Sequence, residues 1–156
     1  MKQKLHKICK TEVIFTACLA LLLTATGLPA ATTDTDSYLQ GQEFYQSGNY
    51  ENAIRAFEKA VEIAPNNSVY HHWLGKSYGQ LARQSGLIKA YDLSRKTKTE
   101  LETAVELDNH NVEALADLMK YYEQAPAFLG GSKDKAEKIR LQLEELDFQE
   151  FDQPEV

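Results

Sequence analysis

A block of 34 residues constrains this chain more than any other feature. Over residues 34–67, small and aromatic side chains fall at fixed places: Gly41, Phe44, Gly48, Tyr50, Ala53, Phe57, Ala60 and Pro65. Gly48 ends a first helix, Ala53, Phe57, Ala60 and Val61 share one face of a second, and Pro65-Asn66-Asn67 breaks it. One such pair cannot bury its own apolar face and needs another pair stacked on it. The block therefore forecasts an all-α stack of helix–turn–helix units, a short solenoid.

The pattern returns with interruptions. Ala60-Val61-Glu62-Ile63-Ala64-Pro65-Asn66-Asn67 aligns with Ala104-Val105-Glu106-Leu107-Asp108-Asn109-His110-Asn111. After the first copy come Trp73, Leu74, Gly75 and Tyr78; after the second come Leu115, Leu118 and Tyr122, with Met119 in the glycine place. In the second unit Thr97 and Leu101 take the Ala and Phe places, which implies about ten extra residues between its helices. The third unit has about five extra, with Ala136 and Arg140 in those places. Three units result, over about 34–67, 68–111 and 112–147, inside a domain of residues 31–147.

These residues and spacings resemble the tetratricopeptide-repeat family over roughly residues 34–147. The resemblance implies an all-α fold: a short solenoid of about three helix–turn–helix units, the second with an extended hairpin. It also implies binding of other proteins rather than chemistry. Family members present ligand-facing positions on the first helix of each unit. Carried over, these are Tyr38, Gln42 and Tyr45, then His72, Lys76 and Gly79, then Ala116, Lys120 and Glu123. Tyr38, Gln42, Tyr45, His72, Lys76 and Lys120 are the candidate partner-binding residues. They would form an aromatic, mildly basic groove, or Tyr38 and Tyr45 would simply pack between units. The groove lacks the Lys/Asn set that clamps a C-terminal carboxylate in chaperone-binding members. A narrower resemblance is to exported bacterial tetratricopeptide proteins with an Ala-Pro-x-x-x-Gly-Gly-x-x-Asp-Lys-Ala segment, here Ala125–Ala136. It carries no activity with it.

Helices are expected over about 36–47, 51–63, 68–83, 87–107, 112–124 and 133–146. Asp34 or Asp36 is placed to cap the first. Pro65-Asn66-Asn67, Ser85-Gly86 and Pro126 are the breaks. In the fourth helix Ala90, Ser94, Thr97, Leu101, Ala104 and Val105 share a stripe, and Lys89, Arg95, Lys96 and Lys98 give its first half a basic, thinly apolar character. That half is expected to project beyond the stack. In the last helix Ala136, Ile139, Leu143 and Leu146 face inward. Residues 148–156 form an acidic tail.

The N-terminus reads as a secretory signal over about residues 1–30: Lys2, Lys4, Lys7 and Lys10, an apolar run from Val13 to Leu23, then Gly27-Leu28-Pro29-Ala30-Ala31. Cleavage is expected after Ala30 or Ala31, with an uncleaved anchor as the alternative. The apolar stretch reaches about 16 residues when extended to Leu28, short of the roughly 20 that span a bilayer. Cys18 does not suit a lipoprotein box, because much of the apolar run follows it. Both cysteines, Cys9 and Cys18, lie in this segment, so the mature chain would have none. Residues 1–30 hold four Lys and one Glu, which leaves 13 basic against 22 acidic side chains and a net charge of about −9. Such a domain is a poor partner for nucleic acid or anionic lipid. The expected location is exported, periplasmic or secreted, with no membrane span in the mature chain.

No motif points to catalysis. His71 and His72 are adjacent and lie about 100° apart on a helix, unlike an i, i+4 metal pair; one packed and one groove-facing histidine is the expectation. Gly130-Gly131-Ser132-Lys133-Asp134-Lys135 lacks the first glycine of a P-loop and reads as a loop with a helix cap rather than an anion site. Acidic residues such as Glu100, Glu102, Glu144 and Glu145 sit at helix-surface spacing. No enzyme activity, cofactor or metal is expected. The chain reads as an adaptor or scaffold of the bacterial cell envelope, binding an unidentified protein or peptide in the groove. The competing reading is a self-associating structural protein, a homodimer meeting through an open C-terminal end that carries Phe128, Leu129, Phe148 and Phe151.

Overall fold

The computed structural model describes residues 33–151, with side chains as far as Phe148. The signal segment expected over 1–30 and residues 152–156 of the acidic tail lie outside the described residues. Among the described residues six α-helices follow one another: α1 Asp34–Gln46, α2 Tyr50–Ile63, α3 Ser68–Arg83, α4 Leu87–Leu107, α5 Val112–Gln124 and α6 Lys133–Phe151. A 3₁₀ turn, Ala127–Leu129, precedes α6. Among the described residues there is no strand, and no helix is long and apolar enough to cross a membrane.

The helix ends follow from local chemistry. Asn49, Asn67 and Asn111 each accept from a backbone N–H of the first turn they precede. The first cap differs from expectation. Thr33, not Asp34 or Asp36, is the cap, because Asp36 stands where a capping box needs a carboxylate. Thr33 Oγ1 accepts from Asp36 N at 3.0 Å, and Asp36 Oδ2 accepts from Thr33 N at 3.2 Å. The last helix also runs past the expected end near 146, to Phe151.

Each helix packs on its neighbours in the chain, and α3 also touches α1 and α5. This pairs α1 with α2, α3 with α4 and α5 with α6, as stacked helix–turn–helix units. Gly41 shows why the small positions are small. A Cβ there would lie 2.5 Å from Cε1 of Phe57, a ring with no exposed surface.

Two apolar clusters form the core. The first joins Ala53, Ile54 and Phe57 of α2 to Leu74 and Tyr78 of α3 and Leu93 of α4. The second joins Leu101 of α4 to Leu115, Leu118 and Tyr122 of α5 and Ala136 and Ile139 of α6, with Leu143 and Leu146 against them. Helix α4 thus enters both. Its 21 residues extend about 30 Å, so its start reaches the first core while its middle serves the second.

The first half of α4 is accordingly less detached than its composition suggests. Leu87 and Ile88 at the tip are exposed, at 91% and 87%, but Leu93 is buried. Lys89 pairs with Glu51 of α2 at 2.9 Å, Lys96 lies 5.0 Å from the Tyr78 ring centroid, and Lys98 pairs with Glu102 at 3.4 Å. Only the tip projects.

A polar strut crosses the boundary between the second and third units. Ser68 donates to the carbonyl of Ala104 and accepts from Asn111 Nδ2, both at 2.8 Å. It ties the start of α3 to the end of α4 and to the cap of α5.

Candidate functional site

The first helices of the three units, α1, α3 and α5, present one continuous polar and aromatic face. Tyr38 and Tyr45 come from α1. Tyr38 lies tilted against Tyr70 (centroids 5.1 Å apart) and near Phe57 and Trp73, while its hydroxyl accepts from Gln42 Nε2 at 2.8 Å. Tyr45 meets Trp73 edge-on at 5.3 Å and accepts from Gln80 Nε2 at 3.2 Å. Both tyrosines are half-buried, and each meets rings of the second unit. Burial lifts both phenols above their ordinary value.

Lys76 links this aromatic group to the third unit. Its ammonium sits 4.8 Å from the Trp73 ring centroid and 5.8 Å from that of Tyr45, within cation–π range. It also lies 3.9 Å from Asp117 of α5. Burial tends to raise the Asp117 carboxyl, but the hydrogen bond from His72 and the charges of His72 and Lys76 outweigh it and hold it below the usual range.

The expectation of one groove-facing histidine is not met. His71 is buried between Glu100 (Nδ1–Oε2, 2.7 Å) and the carbonyl of Pro65 (Nε2–O, 2.9 Å). His72 is 1% exposed, and its Nε2 donates to Asp117 Oδ2 at 2.8 Å. Both are struts between helices. His72 positions Asp117 from beneath the groove rather than lining its surface.

Beside Lys76 the gap between α3 and α5 opens into a cavity of about 570 Å³. Its floor includes Leu101, 2% exposed, and Thr97, seen past Gly79, which has no side chain to cover them. Leu129 and Pro126 wall it from the turn before α6. Lys76, Arg83 and Lys120 supply positive charge at its edge, against the single carboxylate of Asp117. This cavity is larger than the about 300 Å³ at which ligand pockets begin.

The Gly130-Gly131 segment folds back on that wall. Gly130 has φ of 89°, in the left-handed region, and a Cβ on Gly131 would lie 1.7 Å from the carbonyl oxygen of Ala125. The pair folds the chain back so that Gly131 N donates to Pro126 O at 3.1 Å. Ser132 Oγ then accepts from Lys135 N at 3.3 Å as the cap of α6. Phe128 and Leu129 are consequently not on the open end of the stack. Phe128 stacks on Tyr91, and Leu129 faces the cavity.

Of the six candidate residues, Tyr38, Gln42, Tyr45 and Lys76 therefore share one face, Lys120 stands at the cavity, and His72 lies below. Trp73, Gln80, Arg83 and Asp117 join them without having been singled out as groove residues. Trp73 and Asp117 earn their places only through the approach of α1 to α3 and of α3 to α5. Arg83, one turn beyond Gly79, follows the same helical face that selected His72, Lys76 and Gly79.

A family model described as TPR repeat matches residues 41–81. The tetratricopeptide repeat protein 37 of Xenopus laevis is 28% identical over 110 residues, which are 70% of this chain and 6% of that protein. The chain thus spans a small fraction of that relative. Two solved structures are similar in fold. The second TPR domain of Spaghetti (RPAP3), bound to an HSP90 peptide, aligns with a TM-score of 0.59 at 17% identity, covering 73% of this chain and 92% of that one. The first TPR domain of the same protein, also peptide-bound, gives 0.59 and 17%, over 77% and 84%. Residues 41–81 thus resemble the tetratricopeptide repeat, and the fold is similar to that of TPR solenoid domains.

Proposed function

We propose that this chain is a non-enzymatic interaction module that holds a peptide segment, or a segment of a partner protein, on the face of α1, α3 and α5. The observation that carries the reading is the connected run Tyr45–Trp73–Lys76–Asp117. It crosses all three units with aromatic edges and a cation available to a ligand. The two structural neighbours hold a peptide in their own TPR domains, which supports a peptide as the ligand class here. The basic start at Lys2–Lys10 and the apolar run Val13–Leu23 support an exported module acting in a bacterial cell envelope.

The test is cross-linking in the envelope, followed by recovery of the cross-linked partner on purified protein. Wild type is compared with Tyr45→Ala combined with Lys76→Glu. The variant should lose the partner while keeping its helical content. Equal recovery from both proteins removes the groove assignment.

Self-association is the second reading. It is favoured by the outer side of α6, where Leu141 is 53% and Phe148 73% exposed. Light scattering distinguishes it, since a monomer at high concentration removes this reading and leaves the groove untouched.

A further inference from the structure

Two departures from repeat length meet in space. The extended α3–α4 hairpin carries Tyr91, and the turn before α6 carries Phe128. Their rings stack with centroids 6.5 Å apart and 12° between planes. About two turns further along α4, Lys98 lies against Gly130, where a Cβ would come within 2.9 Å of Lys98 Cε. Beside these contacts the hairpin contributes Arg83 and Ser94, and the turn Pro126 and Leu129, to the lining of the cavity at Gly79.

The chemistry of that cavity runs against the rest of the molecule. The chain carries a net charge of −6, yet the cavity sets Lys76, Arg83 and Lys120 against Asp117 alone. Asp117 is already engaged by His72 and Lys76. Among the described residues, neither Arg83 nor Lys120 has a carboxylate within ion-pair distance. Below these cations Leu101 on the floor and Leu129 on the wall offer apolar surface. An occupant that satisfies both parts presents a bulky apolar group to the floor and a carboxylate to the rim.

We propose that the cavity is the anchoring subsite of the groove and that it takes an acidic linear peptide. A Phe, Leu or Trp side chain enters above Leu101, and a neighbouring Asp or Glu meets Lys120 and Arg83. The assignment rests on the groove reading, because Lys76 belongs both to the Tyr45–Trp73 face and to the cavity and makes the two continuous. It goes beyond that reading in naming the anchor, its charge, and the two irregular segments that shape its pocket.

A random-peptide phage library panned on the full-length protein tests it. Enriched peptides should pair an acidic residue with Phe, Leu or Trp. The tightest, synthesised and labelled, should weaken about tenfold or more on Lys120→Glu, and similarly on Gly79→Leu, which fills the opening. Lys120 is exposed, so its variant should keep the wild-type melting temperature, and Gly79→Ala should retain binding. Binding that is lost on Tyr45→Ala but indifferent to Lys120→Glu and Gly79→Leu would overturn the subsite and leave the groove standing. Enrichment of neutral or basic peptides would overturn the charge assignment. No enrichment over an unrelated protein would overturn both.

Discussion

Tyr122 of α5 donates its hydroxyl to Glu102 of α4 at 2.5 Å, and one unit earlier Tyr78 of α3 donates to Glu58 of α2 at 2.6 Å. In both places a lysine from the following helix covers the ring: Lys135 lies 5.0 Å from Tyr122 and Lys96 5.0 Å from Tyr78. The same three-part contact therefore fastens each unit to the one before it. It survives the insertion in the second unit because the tyrosine and the glutamate lie on the helix segments that keep the regular spacing.

This contact sets the behaviour at high pH. Burial first, then the adjacent carboxylate, pushes both phenols well above their ordinary 10.0. A group whose pKa is raised by folding contributes stability that is complete below its unfolded value and lost as pH climbs towards the folded one. The melting temperature should hold steady below pH 10 and fall above it. Tyr78→Phe combined with Tyr122→Phe should flatten that fall. At neutral pH each single change should cost about 1 kcal/mol, or about 4 °C. An alkaline limb equally steep in the double variant would exclude these tyrosines as its source.

Packing between helices makes two glycines respond oppositely. Gly41→Ala forces a methyl to 2.5 Å from Phe57, whose ring has nowhere to go, and should cost about 1–3 kcal/mol in a urea melt. At Gly79 the nearest atom to a new Cβ is Thr97 Cγ2 at 3.5 Å, an ordinary contact. Gly79→Ala should be neutral or add up to about 1 kcal/mol through helix propensity. Equal losses at both positions would contradict the difference in clearance.

On the acid side, Asp117 is the informative group. Its carboxyl is held below the ordinary 3.8, so its contribution is present above that value and disappears as pH falls below it. Asp117→Ala leaves His72 Nε2 buried without its acceptor and should cost about 1–3 kcal/mol at neutral pH. The gap between variant and wild type should narrow as pH drops below 3.8 in thermal melts. A gap independent of pH would mean that the loss comes from packing alone.

Local signals carried most of the fold. Pro65-Asn66-Asn67, Ser85-Gly86 and Pro126 stop helices where they do because each removes a donor or offers a competing cap, and such effects are readable one residue at a time. Thr33 was harder, since its advantage over Asp34 depends on Asp36 reaching back. Leu93 escaped the expected stripe because its partners Ile54 and Leu74 belong to α2 and α3, one of them in the preceding unit. The groove face was legible where it follows helical spacing, as at Tyr38, Gln42, Tyr45 and Lys76. Asp117 and the cavity were not, because they depend on how close α3 comes to α5 and on two irregular segments touching each other.

The tip of the extended hairpin supports the last prediction. Residues 84–91 hold Leu87 and Ile88, both almost fully exposed, and Lys89, whose pair with Glu51 is solvent-exposed and worth little. Leu93, the first residue of α4 to enter the core, lies beyond them. Deleting Gln84–Tyr91 and joining the ends with a short glycine linker should leave helical content and melting temperature nearly unchanged, since loop closure varies only slowly with length. The deletion also removes the Tyr91 ring from Phe128, so the same variant should lose affinity for an acidic peptide that binds at Lys120. Cooperative unfolding of the deletion variant would show that the tip belongs to the core. A stable variant with unchanged peptide affinity would show that the Tyr91–Phe128 contact plays no part in shaping the cavity.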